Sequence, residues 1–203
     1  MTNKEISQLQ KEVVNSICSE ESGRLILAPR IGKTKIIIDL IKRDKIKGKI
    51  LWVTPTSKLA EEDIPAEFVK WKAKKYLKQL ETTTWKGLDN CEGEKGLIVL
   101  DEEQFMTVNN STPLLNGKLK GNVIISMTGT ESKSKEKKDL YKQLNLDVLY
   151  RISINQAVDI GLLSNYEIKV IVVPLDKNKN IEVKYQDIAT KQEKSFTTSE
   201  EKQ

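Results

Sequence analysis

The stretch "LILAPRIGKTKIII", residues 25 to 38, decides the fold: an apolar run breaks at Pro29, passes through Gly32-Lys33-Thr34, and resumes as a second apolar segment. A loop between a buried strand and a helix places backbone N–H groups and the positive end of the helix around an anion. The tripeptide Gly32-Lys33-Thr34 ends like the phosphate-binding pattern G-x-x-x-x-G-K-[ST], yet Leu27 stands where the first glycine of that pattern would fall.

Three further runs share the near-continuous hydrophobicity of strands buried on both faces: "KILWVTP" (49 to 55), "GLIVLDE" (96 to 102) and "NVIISMTGT" (122 to 130). Helical patterns alternate with them. "KTKIIIDLIKR" (33 to 43) predicts one helix, and Ser57 is expected to cap a longer one in which Ala60, Ile64, Phe68 and Trp71 recur at helical spacing. The order β-α-β-α predicts an α/β domain: a three-layer α/β/α sandwich around a mostly parallel sheet. In such sheets ligands bind beyond the carboxyl ends of the strands, and each of these four runs ends in a polar tail, "APRIGKT", "TPTSK", "DEEQ" and "TGT".

Composition narrows the chemistry. The 203 residues allow one sizeable core with a short extension. There is no histidine, so Ser-His-Asp hydrolysis, Cys-His nucleophiles and His-ligated zinc are excluded. Cys18 and Cys91 form no C-x-x-C pair, and free thiols suit a reducing cytoplasm, that of a host if the chain is viral. No run of apolar residues is long enough to span a membrane, so no membrane association is expected. The net charge of +5 is mild and lysine-dominated, compatible with a polyanionic partner or an ordinary solvated surface.

"LIVLDEEQF" supplies the second element of a site, with Asp101 and Glu102 following four apolar residues. A carboxylate at a strand end beside a phosphate loop can hold the shell of a Mg²⁺ ion, while the adjacent acid orients or deprotonates water. The stretch between Lys33 and Asp101 has room for the two β-α units that a doubly wound sheet requires.

With these motifs in order, the chain resembles the first RecA-like lobe of superfamily-two (DExx-box) helicases and translocases. "LQKEVVNSI" is similar to the upstream glutamine motif, "APRIGKT" to motif I, "LWVTPTSKLAEE" to motif Ia, "TTTW" (82 to 85) to motif Ib, "LDEEQ" to motif II and "SMTGT" to motif III. "INQAVDIGLLSNYEI" resembles the segment that closes this lobe in the branch containing type III restriction subunits and phage helicases.

The resemblance implies ATP and Mg²⁺ as cofactors. Gln10 would read adenine, and Pro29, Arg30, Ile31, Gly32, Lys33, Thr34 and Lys35 would line the phosphate loop. Thr34 and Asp101 would hold Mg²⁺, Glu102 would act on the hydrolytic water, and Gln104 would close motif II. Thr128, Gly129 and Thr130 would couple nucleotide state to the lobe, and Thr56, Ser57, Lys58, Thr83 and Thr84 would meet nucleic acid, DNA rather than RNA. Backbone contacts of that kind are sequence-independent and salt-sensitive. A helix cap accounts equally for "TPTSK", and the two roles can coexist.

Two departures stand out. Leu27 and Arg30 replace the small residue and first glycine of A-x-x-G-x-G-K-T; arginine enters positive φ less freely than glycine, so a differently shaped loop or weaker nucleotide binding is expected. Gln104 stands where many relatives carry His or Asp, and it cannot titrate. "VKWKAKKYLK" (69 to 78) reads as an amphipathic helix with inward aromatics, "SKSKEKKD" (132 to 139) as a solvated helix entry, and Trp52 and Trp85 as core.

Residues 1 to 175 are therefore expected to form an N-terminal ATP-binding lobe, with a short helix, a turn at Gly161 and a strand reaching Pro174 near its end. Residues 176 to 203 read as a polar linker or tail toward a missing second lobe, in the same chain or a partner. That lobe would bring the arginine completing the ATP site, so this chain alone is expected to turn ATP over very slowly. The rival expectations are a degenerate lobe serving as a nucleic-acid or protein binding module and, less in keeping with "TPTSK" and "TGT", a small-molecule P-loop kinase.

Overall fold

A computed structural model describes residues 2–17, 21–132, 134–164, 181–186 and 193–198. The chain divides into two units, residues 1–165 and 166–203. In the first, α1 (Asn3–Ser16), β1 (Gly23–Leu27), α2 (Lys33–Asp44), β2 (Ile50–Thr54), α3 (Ile64–Lys70), β3 (Leu80–Thr84), β4 (Gly93–Asp101), α4 (Thr112–Leu115), β5 (Leu119–Thr128), α5 (Lys135–Gln143), β6 (Asp147–Ile152) and α6 (Ile154–Asp159) follow one another. The six strands form one sheet in the order β3-β2-β4-β5-β1-β6, parallel throughout. The four strands expected from the sequence are β1, β2, β4 and β5.

Alternation along each strand divides the interior into two cores. Leu25, Leu27, Trp52, Leu97, Val99, Ile125 and Met127 point to the side covered by α1, α2 and α3. Leu51, Val53, Ile98 and Leu100 point to the other, beneath Leu114 of α4 and Leu140 and Tyr141 of α5. Both faces are buried, which explains why the strands read as continuous apolar runs. Helix α2 carries three consecutive isoleucines, Ile36, Ile37 and Ile38, all fully buried. β-Branched residues are modest helix formers, so tertiary burial stabilises this helix more than propensity does.

Two strands of this sheet escaped the sequence reading, as did two more within residues 176 to 203, expected to be a polar linker or tail. β3, "LETTT", is half-exposed along its whole length, and β6 ends the opposite edge with Asp147, Val148 and Arg151 exposed. Each pairs with a single neighbour, so neither needs the apolar run that betrays a central strand.

The helix after β2 also differs from expectation. Its cap is Thr56, one residue before Ser57: Thr56 Oγ1 accepts from the Leu59 amide and Thr56 O from the Ala60 amide. A π-helical stretch, Leu59–Asp63, precedes α3. The segment 69 to 78 is not one helix. α3 stops at Lys70, the backbone turns at Lys72 (φ 57°), and a 3₁₀ turn over Lys74–Tyr76 buries Tyr76. Trp52 and Trp85 are core, as expected.

α6 and a turn at Gly161 (φ 70°) follow β6, whereas the expected strand up to Pro174 lies outside the described residues. In the second unit, β7 (Ile181–Gln186) and β8 (Glu193–Thr198) pair antiparallel. Among the described residues no helix is long and apolar enough to cross a membrane.

Phe68 meets Trp52 edge to face at 5.9 Å between ring centroids, and both are fully buried. Phe68→Ala should cost about 3–5 kcal/mol of unfolding free energy, measured by urea titration with an unchanged slope.

Candidate nucleotide site

The parallel sheet brings the carboxyl ends of β1, β4 and β5 out on one side, with β5 between the other two. The loops "APRIGKT", "DEEQ" and "TGT" consequently meet there.

After β1 the chain turns through Pro29 and Arg30, then enters α2 at Gly32-Lys33. Two residues take left-handed backbone, Arg30 at φ 69° and Gly32 at φ 85°. Arg30 thus adopts the conformation for which a glycine would be chosen, at a cost on the order of 1–2 kcal/mol, so the arginine does not reshape the loop by avoiding positive φ. The Ile31 side chain is buried, and its carbonyl accepts a 2.8 Å hydrogen bond from Nε2 of Gln10, itself only 6% exposed. A Cβ at Gly32 would lie 2.6 Å from that Nε2, so a larger residue there would push the Gln10 amide aside in addition to straining the left-handed backbone. Gln10, expected to read adenine, is seen to tie α1 to the phosphate loop.

Lys33 reaches across to Glu102, with Nζ 2.6 Å from Oε1. Glu102 Oε2 accepts from Gln104 Nε2 at 2.9 Å. Gln104 Oε1 in turn lies 2.9 Å from the Thr128 hydroxyl, which can donate to it or to the Thr130 carbonyl at 2.8 Å and accepts from the Thr130 amide at 3.0 Å. A carboxylate can only accept, so the amide nitrogen of Gln104 must face Glu102. One chain of polar contacts therefore links the three loops: Lys33, Glu102, Gln104, Thr128, Thr130. Gly129 lies against Leu27 and Pro29, where an added Cβ would be 3.6 Å from Leu27 O and 3.8 Å from Pro29 Cδ.

The two acids are tuned apart. Burial pushes the Asp101 carboxyl up to about 6 against the pull of Lys33, and the Glu102 charge adds to the rise. Burial also pushes Glu102 upward, but hydrogen bonds from Lys33 and Gln104 prevail and leave it below the ordinary range. Asp101 Oδ1 accepts from the Glu102 amide at 3.0 Å, and the Asp101 carbonyl accepts from the Trp85 indole at 2.9 Å. Glu102 is itself left-handed, φ 53° and ψ 62°, the second strained residue of the site.

What holds that strain is a buried polar cluster beneath the loops. Glu103 is fully buried, and its carboxylate accepts from Arg24 of β1 (Nη2 at 2.6 Å, Nε at 3.1 Å) and from Ser126 of β5 (2.5 Å). The Arg24 guanidinium lies 3.6 Å from the centre of the Tyr141 ring. Sequence reading missed Arg24, Glu103, Ser126 and Tyr141. Arg24 inside "RLILAP" was the available signal, because a charge in a strand buried on both faces needs a buried partner.

Other expected site residues fall nearby or elsewhere. Thr34 is half-buried in the first turn of α2. Lys35 lies in the same turn, but its ammonium is engaged 2.6 Å from Asp39 and above the Trp71 ring. Thr56, Ser57 and Lys58 are exposed just past β2, beside Thr83 and Thr84 at the end of neighbouring β3, where Thr54 and Thr84 are in register. Thr84 Oγ1 accepts from the Gly87 amide.

No protein-family model and no curated protein matches the sequence. Solved structures do: the helicase domain of Hef from Pyrococcus furiosus (19% identity, TM-score 0.57, 70% of this chain and 37% of that one), the UvsW helicase of bacteriophage T4 (17%, 0.59, 70% and 58%), and the type ISP restriction-modification enzyme LlaGI, solved with a DNA substrate mimic (16%, 0.52, 80% and 21%). At these identities the likeness is one of fold: the chain has the RecA-like α/β architecture found in those helicase structures. It spans less than two thirds of each of those chains.

Two outcomes follow from the strained loop and the raised acid. Arg30→Gly should stabilise the chain by about 0.5–1 kcal/mol in urea titrations, relief of left-handed strain outweighing the extra freedom of the unfolded glycine. The Asp101 carboxyl has a folded value near 6, above its ordinary 3.8, so its ionisation costs stability, a cost absent below pH 4 and complete above the folded value. Asp101→Asn should therefore raise Tm at pH 8 and leave it nearly unchanged at pH 4.

Proposed function

We propose that this chain is the ATP-binding lobe of a nucleic-acid-dependent ATPase, a helicase or translocase on DNA, that requires a second RecA-like lobe for full activity. The observation that carries the reading is the meeting of Lys33, Glu102, Gln104 and Thr128, one polar chain from three separate strand ends.

The residues suit a nucleotide with its magnesium. Left-handed Arg30 and Gly32 and the start of α2 form an anion cradle, with Lys33 supplying positive charge. Among the described residues no group of three or more His, Cys, Asp and Glu could hold a metal. Mg²⁺ is usually held by one or two carboxylates together with substrate phosphates. Asp101 and the Thr34 hydroxyl would hold it, and its charge would favour the ionised form of the buried Asp101. Bound Mg²⁺ neutralises charge developing on the phosphates during hydrolysis.

In the resting site Lys33 neutralises Glu102. Phosphate oxygens compete for the same ammonium, so nucleotide binding frees one oxygen of Glu102 to orient or deprotonate water. Gln104 keeps the other oxygen oriented, and its second contact, to Thr128, passes the change to the loop after β5. Gln10 fixes the Ile31 carbonyl and stands ready beside the loop for the adenine edge. Thr56, Ser57 and Lys58, with Thr83 and Thr84, offer hydroxyls and a cation to a strand backbone. The DNA mimic bound by LlaGI supports DNA as that partner, and the fraction of each helicase that the chain covers supports the need for a second lobe. The rival reading, a degenerate binding module, drew on Leu27 and Arg30; Arg30 takes the left-handed backbone that a glycine would take there.

Lys33→Ala should weaken binding of a fluorescent ATP analogue by about tenfold or more, and Glu102→Gln should preserve binding while ATP turnover falls about a hundredfold in the complete protein. Unchanged affinity in Lys33→Ala would instead establish the binding module. Lys58→Ala should lower nucleic-acid affinity regardless of sequence and reduce the salt slope by about one.

A further inference from the structure

We propose that Lys137, on the first turn of α5, is a positioning residue for Glu102 and that α5 is the strut setting the geometry of the catalytic turn. The proposal rests on the ATPase reading above and assigns a role to a lysine stretch that the sequence presents as a solvated helix entry.

Three observations carry it. First, the 3₁₀ turn over Glu103–Phe105 follows Glu102 directly and turns carbonyls toward α5, that of Glu103 also accepting from the Met106 amide. The Lys137 ammonium caps them, donating to the carbonyls of Gln104 at 2.8 Å, of Glu103 at 3.3 Å, and of Met106. A lysine has three donors, and here each has a backbone acceptor. Secondly, its neighbours Lys135, Lys138 and Lys142 are exposed, whereas Lys137 is half-buried, and burial lowers its pKa. Desolvating an ammonium costs free energy that only well-placed acceptors repay. Thirdly, Tyr141 lies one turn further along the same face of α5, against the Arg24 guanidinium that holds the Glu103 carboxylate. One helix face therefore grips Glu103 twice, at its backbone through Lys137 and at its side chain through Tyr141 and Arg24.

The grip matters because Glu102 is left-handed and would relax if the turn were free. α5 also follows the "TGT" loop within a few residues, and Ser134 caps it by accepting from the Lys137 amide at 3.3 Å. A shift of that loop thus reaches Glu102 by a second route, through the backbone, in addition to the contact between Thr128 and Gln104.

The test compares Lys137→Met with Lys142→Met, a control on an exposed position of the same helix, and with Lys137→Arg. Amide exchange is read at Phe105 and Met106, which donate to the carbonyls of Glu102 and Glu103 at 3.0 and 2.9 Å. ATP turnover and affinity for a fluorescent ATP analogue are read in the complete protein. Lys137→Met should speed exchange at these two amides about tenfold and lower kcat about tenfold, with nucleotide affinity unchanged, partial recovery in Lys137→Arg and no effect in Lys142→Met. Unchanged exchange overturns the proposal, as does unchanged kcat or a fall in affinity matching the fall in kcat. A wild-type protein that binds no nucleotide instead overturns the ATPase reading, and this proposal with it.

Discussion

The buried ion pair between Arg24 and Glu103 is the constraint on which the rest of the site depends. It joins β1 to the turn that follows β4, across β5, which lies between those strands and whose Ser126 completes it midway. Its charges are almost fully withdrawn from water, at 6% and 1% side-chain exposure. Pairs of this kind contribute little net stability over an apolar replacement, while loss of one partner costs about 3–5 kcal/mol. Its value here is registry. Glu103 is pinned beneath the sheet end, the residue before it takes left-handed backbone, and Glu102 reaches Lys33.

The polar chain above that pair works without a titrating imidazole. Gln104 uses both ends of its amide, accepting at Oε1 and donating at Nε2, and a side chain that does not ionise keeps this orientation across pH. Proton affinity is tuned instead at the two adjacent acids, upward at Asp101 and downward at Glu102. Carboxyl groups set apart in this way differ in protonation over the same pH range, Asp101 holding its proton to higher pH than Glu102.

The interior of the fold was legible, because a central parallel strand must be apolar on both faces and β1, β2, β4 and β5 are. β3 and β6 were not, since an edge strand can be as polar as "LETTT". The loop through Gly32-Lys33-Thr34 and the acid pair were legible as strand-end features from residue type and position, whereas the conformation of Arg30 was not: propensity argued against left-handed arginine, and the surrounding loop overrode it. Thr56 caps its helix one residue earlier than expected, within the usual error of helix boundaries. The cluster under the site was hidden for another reason. Arg24, Glu103, Ser126 and Tyr141 are far apart in sequence and have no spacing in common, so their association belongs to the topology. Lys137 was masked by its neighbours, a lysine among lysines that differs only in what lies over it.

The bond from Gln10 to the Ile31 carbonyl has a consequence for vectorial synthesis. Only 21 positions separate its ends, against 69 for Lys33 with Glu102 and 79 for Arg24 with Glu103. Arg43 of α2 adds a second local tie, donating to the carbonyls of Val14 and Ile17 at the end of α1. Short closures cost the least chain entropy. As the polypeptide leaves the ribosome, the first two helices and the loop between them can pair before β4 exists. The loop after β1 can then be tied to α1 before Asp101 and Glu102 have been made, and β5 and β6, which flank β1 in the sheet, come later still.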